Sequence, residues 1–235
     1  LVEQERTEAG EVVPVATVFL TNRECPWRCL MCDLWRNTLT ESASSGSIPA
    51  QIDFALASLA PARQVKLYNS GSFFDPRAIP RCDFPAIAER LRSFERVIVE
   101  CHPALVDEAV PRYRDLLAGK LEVAMGLETV HPEVLPRLNK RMSLEQFARR
   151  AEFLRTHDIA LRVFILVKPP FLSEGEALEW ACRSLDFASE RGAIVGGLIP
   201  SRCGNGALEA LAARGEFSMP TLDTLESAVD YGMTL

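Results

Sequence analysis

The stretch TNRECPWRCLMCDLW, Thr21 to Trp35, carries three cysteines at the spacing Cys25-x3-Cys29-x2-Cys32. It follows directly on an apolar, β-branched run, VATVFL from Val15, so it lies on the loop leaving the C-terminal end of a strand. In parallel α/β folds that is the edge where chemistry collects. Further strand-like runs follow outward from it: QVKLYN from Gln64, RVIVEC from Arg96, LEVAMG from Leu121, ALRVFILV from Ala160 and AIVGGLI from Ala193. They are short and apolar almost without interruption, as parallel strands buried on both faces are.

Helix-length stretches separate these runs. Phe84, Ile87, Leu91 and Phe94 share one face at three- to four-residue spacing. Ser143 with Gln146 three residues on forms a capping box before FARRAEFLRTH, and Ser173 opens a helix whose Glu174 and Glu176 suit its positive end. Six strand–helix units follow, an alternation that predicts an α/β fold with a parallel sheet, open or curved into a barrel. No repeat or Gly/Ser linker divides the chain, and ESASSGSI, Glu41 to Ile48, reads as a loop. The expectation is one core domain over 1–235, its barrel spanning about 13–205 and a helical, incomplete end element spanning 206–235.

With 48% apolar residues the chain can bury a sizeable core. No run of about eighteen apolar residues suggests a membrane span, and LVEQERTEAGEVV is unlike a signal peptide. The start at Leu1 fits a trimmed chain or the middle of a longer protein. Twenty-six basic against 32 acidic side chains give a net charge of −6. Without a broadly positive field, phosphate contacts would need a local Arg/Lys cluster or a partner. Seven cysteines, unevenly placed, are not a secreted disulfide framework and point to a reducing, cytoplasmic compartment.

Three thiolates at this spacing can ligate three irons of a [4Fe–4S] cubane and leave the fourth without a protein ligand. An open iron can bind the amino and carboxylate groups of S-adenosylmethionine, and an electron passed to the sulfonium yields a 5′-deoxyadenosyl radical. The competing reading is structural zinc, which wants four ligands in paired knuckles. No second Cys pair exists, and His102, His131 and His157 lie far away in sequence.

The motif Cys-x3-Cys-x-Φ-Cys, with Met31 in the apolar slot, resembles the signature of the radical S-adenosylmethionine (SAM) superfamily. YNSGSFFDP (from Tyr68), GLETVHPEVLPRLNK (from Gly126), LVKPPFLSEGEA (from Leu166) and IPSRCGNGALEAL (from Ile199) extend the likeness along the chain. They are similar to the branch that contains the elongator catalytic subunit and the tRNA methylthiotransferases. Within it, SGSFFDP, VKPPFLSE and SRCGNGALEAL look most like the radical SAM subunit of archaeosine synthase. The resemblance implies a partial (β/α)6 barrel of TIM type.

It also implies a set of contacts to SAM. Met31 and Leu34 would flank the cluster, and Ser70, Gly71 and Ser72 would take the place of the motif that binds the SAM amino group; a tight turn is their competing role. Glu100 and Glu128, at strand ends, are acidic groups that need partners if buried, Glu128 being the preferred SAM contact and Glu100 an equal candidate for a salt bridge. Arg162, Lys168 and Arg202 compete for the SAM carboxylate. Ile199 and Pro200 resemble the adenine-packing position, with core packing as their other reading. Gly204-Asn205-Gly206 is either an anion-binding helix start or a plain helix entry. Cys101 and Cys203 would be hydrogen-atom donors if they face the cavity, and buried cysteines otherwise.

Sulfur insertion is disfavoured, because the spare cysteines lack the spacing of the second cluster that methylthiotransferases carry. Catalytic roles fall on Glu128, Lys168 and Cys101. The implied partners are a low-potential donor, flavodoxin or ferredoxin, and tRNA or a tRNA-modifying protein. The implied reaction is carbon–nitrogen cleavage in a lysine-bearing 7-deazaguanine within tRNA. A small metabolite or natural-product intermediate is the alternative substrate, and an electron-transfer or cluster-carrier module is the alternative class.

Overall fold

A computed structural model describes all residues, 1–235. Seven strands form one sheet in chain order: β1 (Val2–Arg6), β2 (Val12–Phe19), β3 (Gln64–Tyr68), β4 (Arg96–Glu100), β5 (Lys120–Glu128), β6 (Ala160–Val167) and β7 (Ala193–Pro200). β1 is antiparallel to β2, and β2, β3 and β4 each pair in parallel with the strand that follows. Every strand expected from an apolar run is present. The helices are α1 (Ser47–Leu56), α2 (Phe84–Arg90), α3 (Ala109–Arg114), α4 (Val134–Arg137), α5 (Leu144–Thr156), α6 (Glu174–Glu190), α7 (Ala207–Ala213) and α8 (Leu222–Gly232). No helix is long and apolar enough to cross a membrane.

The chain divides into two compact units. The first comprises Leu1–Cys25, Leu34–Ala124 and Leu154–Leu161; the second comprises Pro26–Asp33, Met125–Phe153 and Arg162–Leu235. The boundaries fall within β5, α5, β6 and the cysteine-bearing stretch, not in linkers, which is why composition alone gave no sign of them.

In the first unit, Val15, Val65, Leu67, Val97, Ile98 and Val99 are almost fully buried, as strands covered on both faces must be. Beyond β3, Phe73 and Phe74 join Phe84 and Tyr113 in an aromatic cluster. The ring centroids of Phe73, Phe84 and Tyr113 lie 4.9 to 5.6 Å apart, and such pairs add about 0.5–1.5 kcal/mol each beyond their buried area. The cluster anchors the loop Asn69–Ser72 that leaves β3. The same unit buries charge: Arg96 on β4 pairs with Glu122 on β5 at 2.8 Å and with Glu8 at 2.5 Å, and Lys66 on β3 pairs with Glu5 on β1. The β1–β2 hairpin therefore neutralises two cations on neighbouring strands. The polar sequence of β1 concealed it, since an edge strand that works through ion pairs has no apolar run.

The second unit packs through three apolar clusters. Val134, Leu138, Leu166 and Leu172 gather Met31, Phe171 and Trp180; Leu208, Leu211 and Phe217 gather Leu30, Met31 and Cys203; Val167, Ala181 and Ala228 gather Leu198 and Leu225. Two expected helix starts are borne out by their hydrogen bonds. Gln146 N donates to Ser143 Oγ at 3.1 Å, and Ser173 N and Oγ donate to Glu176 at 3.0 and 2.6 Å. α2 ends at Arg90, short of the expected Phe94, although Leu91 and Phe94 stay buried through the turn beyond it.

Candidate functional site

In the first unit, Cys25 and the β3 exit loop lie against each other. A Cβ built on Gly71 would stand 3.6 Å from Cys25 Cβ, so the bare glycine lets the two chain segments approach closely. Ser70 has φ +53°, a left-handed conformation uncommon outside glycine. β4 and the segment after it hold this turn. Asn69 N donates to Glu100 Oε2 at 2.9 Å, Phe73 N to Glu100 O at 2.8 Å, and His102 N to Ser72 Oγ, where the hydroxyl accepts at 2.8 Å. Glu100 thus fixes the Ser70–Ser72 segment with both its carboxylate and its carbonyl. Cys101 is buried, and its thiol donates to His102 O at 3.3 Å. Arg77, bound by Asp75 at 3.0 Å, is held above the usual guanidinium range chiefly by that carboxylate, with a smaller contribution from Cys25.

The second unit holds Cys29 and Cys32 on the loop Pro26–Asp33, where Cys32 N donates to Cys29 O at 3.0 Å. Met31 and Leu30 anchor this loop in the apolar clusters described above. Three residues tie down its backbone: Leu30 N donates to Leu138 O at 2.9 Å, Asn139 Nδ2 to Trp27 O at 3.0 Å, and Asn205 Nδ2 to Leu30 O at 2.5 Å. Asn205 Oδ1 meanwhile caps α7, accepting from Ala207 N and Leu208 N, and Glu209 accepts from Gly204 N and Gly206 N. These acceptors occupy the donors of the Gly204–Gly206 turn, as a helix entry requires.

Glu128 ends β5 with φ +67° and is buried; Lys140 Nζ donates to its Oε1 at 2.5 Å. A Cβ on Gly126 would overlap both charged groups, so the glycine makes room for the pair. Arg162 is buried on β6, whereas Arg202 is largely exposed and stands 3.9 Å from Asp33. Lys168 is buried with φ +53°, and its ammonium donates to Glu174 at 2.6 Å, Ser218 Oγ at 2.6 Å and Met219 O at 3.3 Å. Its ammonium is thus held by α6 and the segment before α8. Ile199 on β7 is 41% exposed, and Leu34 is 44% exposed in a short 3₁₀ turn in the first unit.

All seven cysteines are without disulfide bonds, and Cys25, Cys29 and Cys32 are each half-buried. No group of three or more His, Cys, Asp or Glu side chains stands prearranged to hold a metal. The fit to iron therefore rests on donor chemistry: three soft thiols on one short loop, a ligand type that selects iron–sulfur clusters. Sequence reasoning missed Lys140 and Asn139 as parts of this region, and singled out Asn205 only as part of a helix start, not as a tie to the cysteine loop. Lys140 and Asn139 lie in the quoted string LPRLNK, but nothing local marks a buried lysine or a side chain that ties a loop over a hundred residues away.

No family model matches the sequence. Over 225 residues the chain is 29% identical to archaeosine synthase subunit beta from Methanosarcina acetivorans, covering 91% of this chain and 65% of that protein. The chain spans between 39% and 65% of the length of the curated relatives it matches. Among solved structures, Elp3 from Methanocaldococcus infernus superposes with a TM-score of 0.62 at 16% identity, covering 94% of this chain and 54% of that one. The radical SAM methyltransferase TsrM from Kitasatospora setae, solved with cobalamin and a [4Fe–4S] cluster, superposes at 0.61 and 19% identity, covering 83% and 39%. The chain has the partial-barrel α/β fold of radical SAM enzymes, and its sequence resembles archaeosine synthase subunit beta.

Proposed function

We propose that this chain is a radical SAM enzyme in which Cys25, Cys29 and Cys32 hold a [4Fe–4S] cluster. The observation that carries the reading is the cysteine triplet on the loop leaving the first parallel strand of a radical SAM fold. When bound, the cluster would supply the electron that cleaves SAM, giving the 5′-deoxyadenosyl radical that takes hydrogen from the substrate.

The residues divide the remaining work. Ser70, Gly71 and Ser72, fixed by Glu100, would offer backbone and hydroxyl groups to the SAM amino group. Glu128, oriented by Lys140, is the acidic SAM contact. Arg162 and Lys168, both buried, and the exposed Arg202 are the candidate cations for the SAM carboxylate. Met31, Leu34 and Ile199 supply apolar surface, and Cys101 is the candidate hydrogen-atom donor. Electrons come from flavodoxin or ferredoxin in a reducing, cytoplasmic setting.

The likeness to archaeosine synthase subunit beta supports a substrate in tRNA, a lysine-bearing 7-deazaguanine whose carbon–nitrogen bond is cleaved. With a net charge of −6, the chain would need a partner protein to supply phosphate contacts. Incubation of the reconstituted chain with SAM, dithionite and tRNA bearing this base tests the reading. Loss of the lysine-derived mass together with 5′-deoxyadenosine is expected. Turnover of SAM with the base intact, in the presence and absence of an archaeosine synthase partner subunit, would remove this substrate.

A further inference from the structure

Asn69 lies between β3 and the Ser70–Ser72 turn with no solvent exposure, and neither its Nδ2 nor its Oδ1 has a hydrogen-bond partner. Native proteins rarely bury an amide unpaired at both ends. Asn69 is alone in this: the other buried unpaired groups are hydroxyls and the single Oδ1 of Asn22, whose Nδ2 donates to Arg23 O. Its position is enforced. The backbone N–H is held by Glu100 Oε2 at 2.9 Å, the next residue is left-handed, and the phenylalanine pair at 73 and 74 anchors the loop from the other side. The fold therefore holds the amide in place without giving it a protein partner.

The surroundings indicate what would complete it. The space that a side chain at Gly71 would fill is flanked by Cys25 Cβ, at 3.6 Å, and by Asn69 Nδ2, at 3.9 Å. The amide and the first cysteine thus border one small gap, kept open because residue 71 has no side chain.

We propose that the Asn69 side-chain amide donates a hydrogen bond to sulfur on the Cys25 side of the iron–sulfur cluster, and so raises its reduction potential. This rests on the radical SAM reading above. Reduction adds negative charge to the cluster and its thiolates, so a fixed N–H donor at sulfur favours the reduced state. Asn69 acts here through Cys25 and is a positioning and tuning residue.

The test is an EPR-monitored redox titration of the reconstituted protein without SAM, comparing the native chain with Asn69→Leu. The assignment expects equal iron and sulfide content and a midpoint lowered by the equivalent of about a tenfold shift in the reduction equilibrium, about 59 mV for one electron. An unchanged midpoint in a fully loaded Asn69→Leu protein overturns it, and if SAM binding weakens at the same time, the amide belongs to SAM instead. If Asn69→Leu does not fold, ENDOR of the reduced native cluster before and after exchange into D2O, with near-isosteric Asn69→Asp as control, decides the matter. An exchangeable proton coupling lost in Asn69→Asp supports the bond, and identical spectra overturn it. Failure of the native chain to assemble any iron–sulfur cluster would sink the enzyme reading as well, whereas an unchanged midpoint sinks only the role of Asn69.

Discussion

Lys140 Nζ lies 2.5 Å from Glu128 Oε1, with neither side chain more than 10% exposed. Glu128 ends β5 and Lys140 lies past α4, so the pair fixes the strand end to the loop that also ties down the cysteine segment through Asn139. Removing one partner of a buried pair leaves the other charge without compensation, which costs about 3–5 kcal/mol. Lys140→Met should therefore lower the urea midpoint strongly. Glu128→Gln combined with Lys140→Met should cost less than the sum of the single changes. Additive losses would show that the two side chains are independent.

Gly126 bears on the same pair. Gly126→Ala places a methyl where the carboxylate and ammonium now lie, so it should destabilise by about 1–3 kcal/mol, as overpacking does. Thermal melting checks this, and a neutral result would show that the ion pair can shift aside.

The first unit has a contrast built into Arg96. Its Glu122 partner is 2% exposed, whereas its Glu8 partner is 42% exposed. Glu122→Ala should cost about 3–5 kcal/mol, and Glu8→Ala no more than about 1 kcal/mol, because water screens the outer pair. Equal effects in denaturant titrations would contradict the assignment of Glu122 as the principal counter-charge.

Glu174 is expected to tune stability at low pH. Its carboxyl is held down at about 2 from an ordinary 4.5, first by the hydrogen bond from Lys168, then by that from Thr224. A depressed carboxylate stabilises the fold fully above its unfolded value and loses that contribution as pH falls through the folded one. The melting-temperature gap between the native chain and Glu174→Gln should thus be constant above about pH 5.5 and close progressively towards pH 2. With 37% of the side chain exposed, the gap should be modest. A gap that widens on acidification would reverse the sign of the argument.

The strands were legible because each is a short apolar run, and the cysteine motif because its spacing is chemical. Helix starts at Ser143 and Ser173 were legible through their capping residues. What could not be read were contacts distant in sequence. The VEQER strand and the turn after it gain their place from Lys66 and Arg96, and the contacts of Lys168 with Glu174, Ser218 and Met219 lie up to 51 residues away. Glu100 was legible as a strand-end carboxylate, but not as the group that holds Asn69, because loop geometry sets which backbone N–H it meets.

The central claim is that the three-cysteine loop supports radical chemistry, and 5′-deoxyadenosine is its direct product. Anaerobically reconstituted protein supplied with SAM and dithionite should form it, and Cys29→Ala should abolish it. A preparation that binds one zinc, ignores SAM and yields no 5′-deoxyadenosine would contradict the account.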